Sequence, residues 1–339
     1  MRYRELGVTG IQASVVGLGT WVTGGGSVWG DEPDDQQSIR AIHAALDSGV
    51  NLIDTAPVYG WGRSETVVGR AIRDRRDDVI LATKCGLWWE DRRGSYWGPF
   101  DGKRLFRCLR PDTIQIEIEN SLRRLGVEHI DLYQVHWPAT EPRKTAIDET
   151  MGCLMELRKQ GKVRAIGVSN VSPAELREYI RCGDVTTNQP RYNVLNREIE
   201  RETVPICLEN RVSILGYMTL EQALLTGTVG ADREFGPNEY RSNPEWNPWF
   251  MPPNRGRVLA MLAGWNDMTE KYNCSLAQLA IAWVLAQRGV TVALCGARHP
   301  EQAVENAAGG ELLLEEDDIA RITSDAEALG TPVSHVSEL

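Results

Sequence analysis

Short apolar runs alternate with amphipathic segments along almost the whole chain. Eight runs have the length and the Gly, Pro or polar boundaries of buried strands, and the segments between them repeat apolar residues at helical spacing. The strand-like runs are residues 15–21, 51–54, 79–84, 131–136, 163–170, 186–190, 211–217 and 291–296. Strands that alternate with helices form parallel sheets. Eight of them without a break in composition predict an α/β protein with one closed (β/α)8 barrel, a TIM barrel, over residues 1–339.

Helix signals fall between these runs. Asp34 or Asp35 can cap a helix that ends near Asp47. The stretch 172–175 places Ser at the N-cap, Pro at the first helical position and Glu at the third, which is a strong start signal. The remaining predicted helices span 64–73, 111–125, 145–160, a segment ending at 209 or 210, 255–272, 275–288, 299–308 and 315–329.

Three segments fall outside the repeating pattern. Residues 2–14 predict an N-terminal β-hairpin, because alternating apolar residues flank a turn bounded by Gly7 and Gly10. Residues 86–110 predict a Trp-rich loop. Residues 226–254 carry Gly, Pro, Asn and Trp without helical or strand period, and an irregular segment of that length favours a functional cover over a plain linker. Disorder is the alternative, which the apolar residues Trp246, Trp249, Phe250 and Met251 oppose.

Composition narrows the class of partner. The net charge of −10 and pI near 5.2 argue against a nucleic-acid or anionic-membrane binder and favour a small molecule. No apolar stretch is long enough to span a bilayer and the start lacks a secretion signal, so we expect a cytoplasmic protein. Seven scattered cysteines form no CxxC pair and five histidines have no ligand spacing, so neither a disulfide framework nor a metal site is expected.

Candidate chemistry lies at the ends of three predicted strands. Asp54 ends one run and Tyr59 follows it in the next loop, while Lys84 and His136 each end another run. Since the carboxyl ends of parallel strands meet at one edge, we expect the four side chains to converge there. Lys84 would lower the pKa of the Tyr59 phenol, Asp54 would hold Lys84, and a neutral His136 would position a carbonyl oxygen. The set suits proton transfer coupled to hydride delivery, and the hydride must come from a cofactor.

Each of these residues also has an ordinary structural explanation. A strand-end Asp often caps a helix, a single Lys is usually solvated, Tyr59 can cover an apolar edge, and His136 can be a satisfied core histidine. Only their convergence favours catalysis. Eleven tryptophans, several of them at the expected mouth, suit a polyol or sugar-like carbonyl compound, or else simply pack the loops over the barrel.

The chain resembles the aldo-keto reductase superfamily, in particular its bacterial branch related to potassium-channel β subunits and inositol-operon-type reductases. The resemblance spans the chain and rests on the ordered motifs GLGTW (17–21), NLIDTAPVYGWGRSE (51–65), ATK (82–84), LYQVHWP (132–138), IGVSN (166–170), NQP (188–190), GYMTLEQALLTG (216–227) and GARHPEQAVEN (296–306). The spacing of Asp54, Tyr59, Lys84 and His136 matches the catalytic tetrad of that superfamily.

The resemblance implies which residues bind a dinucleotide. It implies cofactor contacts by Asp54 and by Gly19, Thr20, Trp21, Ser169, Asn170, Gln189, Tyr217, Met218, Leu220, Leu225, Gly227, Gly296, Arg298, Gln302, Glu305 and Asn306. Tyr217 would stack on the nicotinamide ring. Arg298 would contact a 2′-phosphate, and an Arg just before a helix start is by itself a good phosphate site. An ordinary surface Arg is the alternative.

Three positions depart from the pattern common in relatives. Cys295 replaces Pro, Met218-Thr219 replaces Ser-Pro, and Thr228 replaces Lys. The third removes a positive charge that can neutralise phosphate. The resemblance implies NADP (NADPH) as cofactor through Arg298, and the missing charge at Thr228 leaves NAD open as well.

The implied activity is NAD(P)H-dependent reduction of an aldehyde or ketone, with Tyr59 as general acid and residues 226–254 covering the cofactor. Implied substrate contacts are Trp21, Tyr59, Trp88, His136 and Trp137. Two other functions stay open, an NAD-linked dehydrogenase or epimerase acting on sugar or inositol alcohols, and a channel-β-like regulatory subunit. The oligomeric state, including a homo-oligomer, is also open.

Overall fold

Eight parallel strands form a closed barrel in the computed structural model, which describes residues 1–29 and 34–333. The predicted single domain also covers residues 30–33 and 334–339, which lie outside the described residues. The strands in chain order are β1 (Tyr3–Glu5), β2 (Gln12–Ser14), β3 (Val16–Gly19), β4 (Leu52–Asp54), β5 (Ile80–Cys85), β6 (Leu87–Trp88), β7 (Ser95–Phe100), β8 (Lys103–Arg107), β9 (Ile130–Val135), β10 (Val163–Ser169), β11 (Thr187–Gln189), β12 (Ser213–Gly216) and β13 (Val290–Gly296). The barrel order is β3-β4-β5-β9-β10-β11-β12-β13, closing on β3, so the predicted TIM barrel is confirmed.

Helices cover the outside of this barrel. They are α1 (Trp21–Gly24), α2 (Asp35–Asp47), α3 (Arg63–Ile72), α4 (Pro111–Leu125), α5 (Ile147–Lys159), α6 (Pro173–Cys182), α7 (Thr203–Glu209), α8 (Asn254–Ala263), α9 (Asn266–Tyr272), α10 (Leu276–Ala286), α11 (Pro300–Gly309) and α12 (Glu316–Ala328). Asp34 caps α2, and Ser172 with Glu175 forms the predicted capping box at α6. Caps of this kind contribute about 1 kcal/mol each. Within the described ranges, none of these helices is long and apolar enough to cross a membrane.

The alternation of side chains along the strands separates two hydrophobic layers. Leu52, Ala82 and Leu132 point into the barrel, where they pack with Leu6 and Ile11 of the β1–β2 hairpin, which closes the amino-terminal end. Their sequence neighbours belong to the layer between barrel and helices. Because side chains two positions apart share a face, the residues that follow these inward positions by two also point inward. That set is Asp54, Lys84 and Gln134.

Several predicted boundaries are wrong. Residues 86–110 are not a loop but contain a three-stranded antiparallel sheet in the order β6-β8-β7. The strands were not predicted because their sequences mix charged residues with Trp, Tyr and Phe. The strand expected over 15–21 ends at Gly19, because Thr20 leaves the ladder and Trp21 begins a one-turn helix. The helix expected over 255–272 breaks at Gly264-Trp265 into α8 and α9. Residues 226–254 contain two short 3-10 turns, at Tyr240–Ser242 and Pro248–Phe250.

Candidate active site

Asp54, Tyr59 and Lys84 are joined by direct contacts at the carboxyl end of the barrel. Lys84 Nζ donates to Asp54 Oδ1 at 2.5 Å, to the Thr55 carbonyl at 2.9 Å and to Tyr59 Oη at 3.2 Å. The His136 ring stands edge-on to the Tyr59 ring with centroids 5.7 Å apart. The structure therefore brings together the four residues that the sequence pattern selected.

A close approach between two glycines fixes the position of Tyr59. The backbone of α1 packs on the turn that follows Tyr59, and a Cβ at Gly60 would lie 2.3 Å from the Gly24 carbonyl oxygen. A Cβ at Gly24 would lie 2.6 Å from the Tyr59 carbonyl carbon. Gly60 also has a positive φ of 62°, which suits glycine. Any side chain at either glycine would displace the phenol.

The Asp54 carboxylate organises the polar floor of the site. Its Oδ2 accepts from Gln134 Nε2 at 3.0 Å and from Gln189 Nε2 at 2.8 Å, while its Oδ1 accepts from Lys84. Asp54, Lys84 and both glutamines are buried. Sequence reasoning did not select Gln134. Gln134 lies on β9, two residues before His136, which directly follows that strand, and this spacing was the signal that could have found it.

Burial sets the protonation states of the site. Burial raises the pKa of Tyr59 above its ordinary value, and the charge of Lys84 opposes this shift without cancelling it, so the expected net lowering is wrong. Burial would lower the pKa of Lys84, but the charge of Asp54 and the hydrogen bonds of Lys84 to Asp54 and Tyr59 outweigh burial, so the pKa of Lys84 is raised. Burial, reinforced by Lys84, lowers the pKa of His136 well below its usual value. At neutral pH the site thus holds a protonated phenol, an ammonium and a neutral imidazole.

A cavity of about 590 Å³ extends from this floor across the top of the barrel. At one end its walls are aromatic: Trp97, Trp137 and Trp246 contact one another with ring centroids 5.1 to 6.4 Å apart. At the other end the cavity reaches the start of α11. Most of the predicted cofactor residues line it, namely Gly19, Thr20, Trp21, Asp54, Ser169, Asn170, Gln189, Tyr217, Met218, Leu220, Gly296, Arg298, Gln302, Glu305 and Asn306.

The sequence matches the Aldo/keto reductase family over residues 15–327. The chain belongs to the aldo/keto reductase family. It is 40% identical to an NADH-specific methylglyoxal reductase of Escherichia coli, over 97% of this chain and 99% of that protein. A solved glycerol dehydrogenase of Gluconobacter oxydans is 39% identical, with a TM-score of 0.84 and coverage of 99% and 98% of the two chains. An aldo/keto reductase from Klebsiella pneumoniae in complex with NADP and acetate is 27% identical, with a TM-score of 0.68 and coverage of 92% and 91%.

Membership of this family confirms the predicted reaction class, carbonyl reduction by an oxidoreductase that uses a nicotinamide dinucleotide. The residues of this aldo/keto reductase fit such a group. Three buried polar atoms of the cavity walls, Trp29 Nε1, Gln222 Oε1 and Arg241 Nε, have no hydrogen-bond partner within the described part of the chain. Buried polar atoms are normally paired, so these atoms indicate a polar ligand.

Two predicted cofactor residues and one predicted substrate residue do not face the cavity of this reductase. Leu225 is fully buried in the core and Gly227 turns the chain, while their neighbours Thr226 and Thr228 line the cavity instead. Trp88 lies behind the wall, where its Nε1 donates to Asp91 at 2.8 Å. The prediction for Trp88 failed because β6 pairs with β8, which turns Leu87 to the cavity and Trp88 away from it.

The predicted nicotinamide end is already a connected polar network. Asn170 Nδ2 donates to the His136 carbonyl at 2.9 Å, and the Tyr217 hydroxyl donates to Asn170 Oδ1 at 2.7 Å. Ser169 Oγ donates to the Gln189 carbonyl at 2.6 Å. The residues predicted to bind the carboxamide are thus held in place by one another and by the backbone of His136.

At the predicted adenosine end, Arg298 lies just before the N-cap of α11, and Gln302 lies in the first turn of that helix. The Arg298 N–H donates to Gln302 Oε1 at 2.8 Å, and its guanidinium lies 5.4 Å from the centre of the Trp29 ring. Arg241, from the 226–254 segment, lies 5.9 Å from the same ring and pairs with Glu239 at 2.6 Å. Trp29 was expected at the barrel mouth only as one of several tryptophans, and sequence reasoning did not select Arg241, because both reach this end from loops that carry no strand-end signal.

A strained turn follows Tyr217. Residues 221–223 have φ of 44°, 51° and 76°, although none is glycine, and such a conformation costs about 1–2 kcal/mol per residue. Glu221 offsets the strain with a buried carboxylate that pairs with Arg191 and accepts from Asn193 and Asn196. Arg191 also donates to the Trp246 carbonyl, so one carboxylate joins the turn, the end of β11 and residues 226–254.

Proposed function

We propose that this aldo/keto reductase reduces small aldehydes or ketones that carry a second oxygen, such as α-oxoaldehydes and hydroxyketones. The single observation that carries the proposal is the Tyr59 phenol, held 3.2 Å from the Lys84 ammonium beside a neutral imidazole in an aromatic cavity. The phenol, ammonium and imidazole supply one proton and a hydrogen bond for one carbonyl oxygen.

Tyr59 gives its proton to the carbonyl oxygen as that oxygen gains negative charge. The phenolate left behind lies beside Lys84, whose charge Asp54 maintains. Burial keeps the phenol protonated before the reaction, which a proton donor requires. His136, neutral at working pH, donates an N–H to the same oxygen and orients it. A bound reduced dinucleotide supplies the hydride.

The dinucleotide contacts are assigned along the cavity. Ser169, Asn170 and Gln189 would hold the carboxamide, Tyr217 would stack on the nicotinamide, and residues 296–306 would bind the adenosine end. Arg298 is the assigned 2′-phosphate contact, which favours NADPH. The Escherichia coli relative, by contrast, is named as NADH-specific. Measuring kcat/KM with both dinucleotides tests the assignment, and a higher value with NADH than with NADPH would make NADH the cofactor.

Residues 226–254 cover the cofactor in this proposal. Trp246, Tyr240 and Arg241 from this segment line the cavity, while Trp249 and Phe250 anchor it in the core. An exposed Trp-rich segment would be unstable in water, whereas this one is fixed by buried aromatic residues and by Arg191.

The substrate class follows from the aromatic end of the cavity. The indole N–H groups of Trp21, Trp97, Trp137 and Trp246 make no hydrogen bond to any residue within the described ranges. Flat apolar faces with free donors suit small molecules that carry several oxygens. The names of two relatives, a methylglyoxal reductase and a glycerol dehydrogenase, point to the same class.

A second candidate is the reverse reaction, oxidation of a polyol. The structural relative at TM-score 0.84 is named as a glycerol dehydrogenase, and the phenolate form of Tyr59, stabilised by the neighbouring Lys84 ammonium, would accept the proton of the alcohol. Steady-state rates with glycerol and oxidised dinucleotide, compared with methylglyoxal and reduced dinucleotide at neutral pH, separate the two directions.

Tyr59→Phe tests the proposed acid. We expect reduction of methylglyoxal to fall by roughly 10²- to 10⁴-fold, as loss of a general acid does, while dinucleotide still quenches tryptophan fluorescence. Tyr96→Phe is the matched control, since Tyr96 is 51% exposed and outside the cavity. Turnover by Tyr59→Phe above one tenth of the wild-type rate would remove Tyr59 from the mechanism.

A further inference from the structure

Tyr240 occupies the side of the cavity that faces the catalytic residues. It begins a 3-10 turn of the 226–254 segment, and its ring lines the cavity. The ring packs edge-on against Trp21 with centroids 5.1 Å apart, and Trp21 in turn lies 6.2 Å from the Tyr59 ring. One indole ring therefore separates the two phenols.

The rest of Tyr240 is fixed by the surrounding protein. Its N–H donates to the Val28 carbonyl at 3.0 Å, and its carbonyl accepts from Asn247 Nδ2 at 2.7 Å. Asn247 Oδ1 accepts from Gln222 Nε2 at 2.7 Å, which ties the turn to the strained segment after Tyr217. The orientation of the ring is thus set from both sides of the barrel mouth.

Unlike the backbone of Tyr240, its hydroxyl has no hydrogen-bond partner among the described residues. Among the described residues, three phenols line the cavity. Tyr59 Oη accepts from Lys84 and Tyr217 Oη donates to Asn170, whereas Tyr240 Oη makes no hydrogen bond to any residue in the described parts of the chain. Burial raises the pKa of Tyr240 to about 12, so the group is a hydrogen-bond donor at neutral pH.

We infer that Tyr240 is a specificity residue that hydrogen-bonds the second oxygen of the substrate, the hydroxyl or oxo oxygen beyond the reacting carbonyl. This inference rests on the proposed function. A substrate held at Tyr59 and His136 extends along Trp21 toward the cover, where the fixed phenol presents its free donor. A substrate without that oxygen leaves the donor unpaired, so the cavity selects oxygenated compounds.

Tyr240→Phe tests the inference with two isosteric substrate pairs, hydroxyacetone against butanone and glyceraldehyde against 2-methylbutanal. In at least one pair we expect kcat/KM for the oxygenated member to fall roughly five- to tenfold, the usual effect of losing one neutral hydrogen bond. Its apolar partner and the KM of the dinucleotide should change less than twofold. The hydroxyl has no protein partner to lose, so the variant is expected to fold. Tyr96→Phe is the control.

Equal loss for both members of each pair, a change confined to the dinucleotide KM, or no change would each overturn the inference. The same ketones and aldehydes can also be titrated onto the enzyme with oxidised dinucleotide, with tryptophan fluorescence as the signal. The ratio of the dissociation constants of the two members of each pair then reports the preference without turnover. A failure of the proposed reaction would therefore appear in Tyr59→Phe and in the rates. A failure of this inference would appear in the binding ratio of Tyr240→Phe.

Discussion

Removing the charge of Asp54 should damage both stability and catalysis, because Lys84 is fully buried and its ammonium depends on that carboxylate. Lys84 has no exposed surface, and its other partners are the Thr55 carbonyl at 2.9 Å and the neutral Tyr59 phenol. Breaking a buried ion pair on one side typically costs about 3–5 kcal/mol. Asp54→Asn should lose that amount, a large part of the ~5–15 kcal/mol that stabilises a typical protein.

The pH dependence of this loss has a definite sign. In the wild type, burial lowers the pKa of Lys84, but the charge of Asp54 and the hydrogen bonds to Asp54 and Tyr59 outweigh it. The pKa of Lys84 is therefore raised. Without Asp54, burial dominates and the pKa of Lys84 falls below its unfolded value. A lowered pKa of an amine makes the folded state bind fewer protons than the unfolded state. The stability of Asp54→Asn therefore rises relative to wild type as pH increases through the new pKa toward 10.5.

Asp131→Asn is the matched control. Asp131 is equally buried, pairs with Arg76 and Arg164 at 2.7 Å each, and lies at the opposite end of the barrel. Urea unfolding from pH 7 to 10 and kcat/KM for methylglyoxal are measured for both variants. We expect both to be less stable, but only Asp54→Asn to lose activity, by more than about 100-fold. If Asp54→Asn keeps activity within twofold, or Asp131→Asn loses as much, the assigned role of Asp54 is refuted.

Two further predictions concern the cofactor and the helix layer. Arg298→Ala should raise the Kd of NADPH roughly 10- to 100-fold, as loss of a charged hydrogen bond does, and that of NADH far less, measured by fluorescence titration; equal weakening would remove the phosphate assignment. Burial raises the pKa of Glu117 from 4.5 to about 8. Wild type should therefore lose roughly 4–5 kcal/mol of stability, at about 1.4 kcal/mol per pKa unit, as pH rises from 4.5 to 8. In Glu117→Gln this slope should be absent from urea-unfolding curves, whereas the exposed Glu119→Gln should keep it; identical slopes in both variants would contradict the buried-proton explanation.

The sequence by itself determined the barrel and the polar floor of the candidate site. Alternating strand and helix periods predict the fold because each strand must be buried on both faces. The residues that end those strands must then share one rim, so Asp54, Lys84 and His136 could be located by their place in the pattern. The same alternation also indicates Gln134, which sequence reasoning passed over. Sequence periodicity was therefore enough to predict the strands, the helices and the residues at the strand ends, because neighbouring residues along the chain decide these features.

Only the tertiary structure decided the walls and the cover. Leu87 rather than Trp88 faces the cavity because β6 pairs with β8, about twenty residues later. Tyr240 and Arg241 reach the site because Glu221, Arg191 and Asn247 connect segments that are far apart in sequence. The protonation of Tyr59 likewise depends on burial by groups from several strands. Contacts of this kind have no local period, so they emerge only when the chain is folded.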